Sequence, residues 1–292
     1  MYSSIFIESQ GSNIFTLLGA LDSIKERLRE TIYYNIIGNA SLILLLKFNG
    51  YTFSQSYDKL KDFPLINSMI NGYSLFPEDQ EEKKLYLRNW IIKVFREKNI
   101  FNEETRLKDI HNLTKIFPIF ILWDRESRNI VNINPKTHPE TLFIDCLMAS
   151  LTSLGLYNTY SFEDYKISNI YAIEVFPVHK AVIDNLSRAL ICCSLYNYSP
   201  KLNSGVLGPM SHLEDEILLQ GCERKDYFSK IILNNLATNK LKLYSYLIRG
   251  DSNQEERNSH FKSGQRQGNA FINGQDTELS ALTYQDMIIN QP

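Results

Sequence analysis

A serine hydroxyl becomes a nucleophile where a strand turns sharply into a helix and flanking glycines tolerate the strained backbone, the G-x-S-x-G pattern of hydrolases built on parallel sheets. The stretch Ile36 to Thr52, IIGNASLILLLKFNGYT, has that layout: a short apolar run, Gly38, small residues, an apolar helix and a stop at Gly50. With Gly38 as the first glycine, the nucleophile position holds Ala40 and the second glycine position holds Leu42. Ala40 has no atom that can attack a carbonyl. Ser41 offers a hydroxyl one residue on, but the residues two positions either side of it are Asn39 and Ile43, and neither relieves the backbone as glycine does. Glu174 is the carboxylate that could pair with Ser41, although a carboxylate on an alternating strand more often faces solvent.

The other reactive residue types do not assemble into a pattern. His111, His138, His179, His212 and His260 lack the i,i+4 or Cys/His spacing of a metal site, so neither a metal nor a cofactor is expected. Cys146, Cys192, Cys193 and Cys222 fit neither C-x-x-C pairs nor a dense disulfide framework, and read as buried thiols in a reducing compartment. A net charge of -2 and a pI near 6.2 argue against a nucleic-acid binder, which needs a basic excess.

The elements that must position the turn are legible in order. Tyr2 to Ile7 reads as an opening strand. Ile14, Leu17, Leu18, Leu21, Ile24 and Leu28 recur at helical spacing, and Tyr33 to Ile37 is a second strand, which completes a βαβ unit. Ser41 to Asn49 is apolar on nearly every side, the mark of a helix buried all round. Pro77 opens another helix, with Tyr86, Trp90, Val94 and Phe95 expected to point inward. Phe117 to Trp123 and Ile130 to Ile133 are further strands, a helix begins near Pro139, and Ile170 to Val178 is the last strand expected. Beyond Ala181 the composition turns helical, with an S-x-x-E capping box at Ser211 and Glu214. Gly250 to Gly274 is so poor in apolar anchors that composition alone predicts disorder, and Leu279, Leu282, Tyr284, Met287 and Ile288 suit one short amphipathic helix after it.

Over roughly its first 180 residues this arrangement resembles the patatin-like phospholipase family. SQGSNIFTLLGAL, Ser9 to Leu21, is similar to the family's oxyanion loop and following helix; it keeps Gly11 and Gly19-Ala20-Leu21 but not the run of glycines. IIGNASLILLLKFNGYT is similar to the serine turn, its buried helix and the closing glycine-tyrosine. TRLKDIHNLTKIFPIFI, Thr105 to Ile121, resembles the approach to the next core strand, and THPETLFIDCLMASLTSLGLY, Thr137 to Tyr157, a helix ending in small residues. NIYAIEVFPV, Asn169 to Val178, resembles the segment that carries the family's catalytic aspartate; Phe176-Pro177-Val178 survives, while Asn169 takes the aspartate position and Ile170 and Tyr171 replace two glycines.

The resemblance implies a three-layer α/β fold with a central, mostly parallel sheet: a patatin-like domain over 1–180, a helical extension over 181–249, and a polar tail over 250–292. It implies a Ser-Asp dyad in the family, of which this chain keeps neither member at the matching positions: Ala40 stands for the nucleophile, Asn169 for the aspartate, with Gly11 and Gly38 as remnants around the oxyanion loop. The expectation is a catalytically silent scaffold acting as a structural or interaction component, for instance of a larger bacterial or viral assembly, with a protein partner or self-association, and with a lipid or membrane surface as a further candidate. The alternatives are an acyl hydrolase of residual activity and a non-catalytic lipid binder. Without a basic n-region or a long apolar run, the chain reads as cytoplasmic.

Overall fold

In the computed structural model the described residues are 2–9, 13–66, 77–127, 129–152, 156–168, 189–196, 240–245 and 253–274. The chain opens with β1 (Ser4–Ser9), α1 (Asn13–Ser23), a 3-10 turn (Lys25–Leu28) and β2 (Tyr33–Gly38). Three helices follow, α2 (Ala40–Phe48), α3 (Phe53–Lys61) and α4 (Pro77–Lys98). Next come α5 (Leu107–Thr114), β3 (Phe117–Asp124), β4 (Asn129–Ile133), α6 (Phe143–Ser150), β5 (Thr159–Phe162) and β6 (Tyr165–Ser168). The last described elements are β7 (Ala189–Tyr196), β8 (Lys240–Ser245) and α7 (Gln254–Ile272). The fold is the expected α/β arrangement around a central, mostly parallel sheet.

The sheet runs β5-β6-β3-β2-β1-β7-β8, with β4 also on β3. Every pair from β3 to β8 across the centre is parallel, and β4, β5 and β6 add an antiparallel edge. On one face Ile5, Ile7, Tyr34, Ile36, Phe120 and Leu122 join the main core with side chains from all seven helices. On the other, Ile37, Ile119 and Ile121 form a smaller cluster with Phe117 and Trp123. β2 is buried from Tyr34 to Ile37 without alternation, as a central parallel strand must be. Asn35 sits in that strand, 1% exposed, its amide donating to Ser4 Oγ and the Ile5 carbonyl, both at 3.2 Å.

Several elements differ from the sequence reading. α3 is additional, and its signal is the capping box Thr52–Gln55, in which each side chain bonds the other's backbone N–H. In α4 it is Leu87, Ile91, Val94 and Phe95 that are buried, while Tyr86 is 44% exposed. β7 and β8 lie inside the stretch read as helical: Ala189–Tyr196 is apolar but for Ser194 and short enough for a strand, and the composition around it masked it. Ile170 to Val178, the Ser211–Glu214 box and the 279–288 stripe lie outside the described residues.

The largest difference is at residues 253–274, where composition predicts disorder and the chain forms α7. Few apolar anchors are needed because α7 packs on α1 with almost no side chain between them. A Cβ on Gly264 would run into the Thr16 carbonyl, one on Gly19 into the Phe261 carbonyl, and one on Gly268 into Ser23 Oγ. Phe261 lies 4.4 Å from the Tyr57 ring on α3, Gln254 bonds Asp62 at 2.7 Å, Arg257 donates to the Lys61 carbonyl, and Arg27 donates to the Ile272 carbonyl at 3.2 Å. The helix starts at a capping box between Asn253 and Glu256. Replacing Asn253 with Ala is expected to cost about 1 kcal/mol, read as faster amide exchange in the first turn of α7 with the sheet unaffected.

Candidate functional site

Parallel sheets place ligands at the carboxyl ends of their strands. β1 and β2 end in register, Ser9 opposite Gly38, and the Asn39 N–H donates to the Ser9 carbonyl at 2.8 Å. Gly38 has φ +64° and turns the strand into α2; Asn39 is already helical, at φ -63° and ψ -13°, and makes no side-chain cap. α2 then runs buried from Ala40 to Leu46, which is why its sequence is apolar on every side. Gly50, at φ +79°, ends it as expected.

The side chains of this turn divide into two groups. Ala40 belongs to the main hydrophobic core and is wholly buried. Ser41 is wholly buried too, and among the described residues its Oγ has no hydrogen-bond partner, so none of them is placed to take its proton. Gly38, half-buried, lines a crevice with Ile37, Ile121, Leu122, Ala149, Ser150, Thr152, Ile167 and Ser168. Ser150 Oγ donates to the Gly38 carbonyl at 3.2 Å. The crevice measures about 10 Å³, room for roughly one water. Gly11, Asn169 and Glu174 lie outside the described residues, but Ser168, immediately before Asn169, is on the crevice wall. Thus α6 and β6 supply lining residues that no motif announced; the small residues ending the 137–157 stretch were the available signal.

Other chemistry-bearing groups are engaged in structure. The Cys146 thiol is held well above its ordinary pKa by burial and by the nearby carboxylates of Asp145 and Glu163, which keeps it protonated and unreactive. Cys192 is likewise buried. His138 joins Thr137 Oγ1 at 2.7 Å to the Tyr165 hydroxyl at 3.0 Å, which ties a turn to β6. Lys47, the one polar residue of α2 past its first turn, lies over the rings of Phe53 and Tyr34 at 5.1 and 5.7 Å, and burial lowers its pKa.

A larger groove, about 560 Å³, lies elsewhere, along α4 between Asn89, Ile92, Lys93, Arg96, Glu97 and Glu103, and shares no lining residue with the turn. Its charges are largely paired within the chain: Arg96 with Glu103 at 2.9 Å, and Glu97 with Lys59 at 2.7 Å and the Tyr51 hydroxyl at 2.6 Å. Burial, then the hydrogen bond and charge of Glu97, push the Tyr51 phenol up to about 12. Among the described residues no helix is long and apolar enough to cross a membrane.

No protein-family model and no curated protein matches the sequence. Solved structures do. VipD from Legionella pneumophila aligns over 94% of this chain and 67% of its own, with a TM-score of 0.56 and 10% identity. Full-length ExoU of Pseudomonas aeruginosa, from its complex with full-length SpcU, aligns over 94% of this chain and 52% of its own, with a TM-score of 0.52 and 10% identity. The chain thus spans about two thirds and one half of the lengths of these neighbours. At this identity the likeness is one of fold: the chain has the patatin-like fold.

Proposed function

We propose that this chain is a patatin-like scaffold without serine hydrolase chemistry, which works by binding a protein partner. The observation that carries this reading is the turn: Gly38 has no side chain, Ala40 offers only a methyl group to the core, and the Ser41 hydroxyl is buried with no partner among the described residues. Loss of a triad-type nucleophile leaves on the order of 10³–10⁴ over water, and that residue of rate depends on an intact oxyanion hole. Removing one oxyanion donor costs a further 10²–10³ or so. Support for a protein partner comes from the neighbour ExoU, whose structure was determined with SpcU bound. A tight crevice of about 10 Å³ gives no support to an acyl chain lying at the turn.

The test is to incubate the purified chain with a fluorophosphonate and with short-chain and phospholipid esters. No labelling and no turnover are expected. Labelling or turnover that disappears in Ser41→Ala would overturn the reading in favour of the second one, an acyl hydrolase, which the fold alone supports.

A further inference from the structure

We propose that the nucleophile position of this turn is Gly38 and not Ala40. The inference builds on the reading of Ile36–Thr52 as a hydrolase-type elbow and moves its register by two residues. An elbow presents its nucleophile from the apex, the residue whose backbone leaves the helical and extended regions. Between β2 and α2 that residue is Gly38, at φ +64°. Asn39 is helical, and Ala40 opens α2; among the described residues the non-glycine positive φ values belong to Asn99, Lys115 and Glu163, none of them near the turn.

Position agrees with dihedral angle. Gly38 lines the crevice that Ser150 and Ser168 share, and Ser168 immediately precedes the segment matched to the lost aspartate. Ala40 does not line it; its methyl is packed in the main core at 0% exposure. With the apex at residue 38, the two flanking positions of the pattern fall on Ile36 and Ala40. Ala40 then fills the place of the second glycine, where a small residue lets the first helical turn lie against the sheet. Ser41, three residues past the apex, is a helix-packing residue, consistent with its buried hydroxyl. The apex therefore carries no side chain at all.

The register is tested with Gly38→Cys and Ala40→Cys, each treated with iodoacetamide and followed by peptide mass spectrometry, native and denatured. Alkylation reports how far the thiol at each position is open to solvent, and Gly38 is half-buried where Ala40 is wholly buried. In the native protein the thiol at 38 is expected to react about tenfold faster than the thiol at 40, and both react alike in denaturant. A thiol at 40 reacting as fast as one at 38, or faster, would overturn the assignment. If circular dichroism shows that Gly38→Cys does not fold, Ala40→Cys decides alone: protection of about tenfold or more over the denatured rate sustains the assignment, and anything less overturns it. Because the readout is alkylation of an introduced thiol, it is independent of whether the wild-type chain labels with fluorophosphonate.

Discussion

Gly264→Ala is expected to destabilise the protein by roughly 3 kcal/mol and to unseat α7, even though alanine is the better helix former by about 1 kcal/mol. Two effects oppose each other, and distance decides between them. The added Cβ would collide with the Thr16 carbonyl oxygen and come within 2.8 Å of its carbon and 2.9 Å of the Ala20 nitrogen. These are backbone atoms in the middle of a buried helix, so no rotamer change relieves the clash, and the two helices must separate. Separation would also disturb the Phe261–Tyr57 ring contact and the bond from Arg257 to the Lys61 carbonyl. Asn269→Ala, on the exposed side of the same helix, should be neutral or mildly stabilising. Denaturation midpoints together with proteolysis of residues 253–274 measure the effect. A Gly264→Ala protein as stable as wild type, with α7 still protected, would mean the helices do not meet through Gly264.

The second large effect is a loss of stability with acid, centred on His260. Its ring is nearly buried between α7 and α1, with Nδ1 3.2 Å from Thr16 Oγ1, and desolvation lowers its pKa from 6.5 to about 4. Above pH 6.5 the ring is neutral whether folded or not, and makes no pH-dependent contribution. As pH falls from 6.5 towards 4 the unfolded chain takes up a proton that the folded one refuses, so stability drops; below about 4 both states are protonated and the loss is complete. The full effect is on the order of 3 kcal/mol. His260→Gln retains a group able to bond Thr16 and cannot titrate, so the difference between wild type and variant across this window isolates the histidine from the carboxylates. Parallel pH profiles for the two proteins would refute it.

Both effects come from a helix that composition hides. Apolar periodicity makes β1, β2, β3 and α2 legible, because those elements bury many side chains and their sequences must show it. α7 buries backbone instead, through Gly19, Gly264 and Gly268, and glycine in a polar stretch looks like a flexible linker. Its start was nonetheless written in Asn253 and Glu256, as the start of α3 was in Thr52 and Gln55. The hairpin of β5 and β6 turns at Glu163, a non-glycine residue at φ +49° that no turn motif flags. At the candidate site, spacing marked the strand-to-helix turn but could not fix which residue is its apex, since a register is set by dihedral angles rather than by residue types.

The place of β1 in the sheet has a consequence for biosynthesis. Ser4 pairs with Tyr33 on one side and with Ala189 on the other. During translation the first edge can close as soon as the β1–α1–β2 unit has left the ribosome, whereas the second stays open until β7 has been made. A nascent chain that ends before β7 therefore exposes the β1 edge that β7 will occupy, a ready template for wrong pairing. Slow synthesis between β2 and β7 prolongs that exposure, which makes this interval the stage at which a holdase chaperone would be of most use.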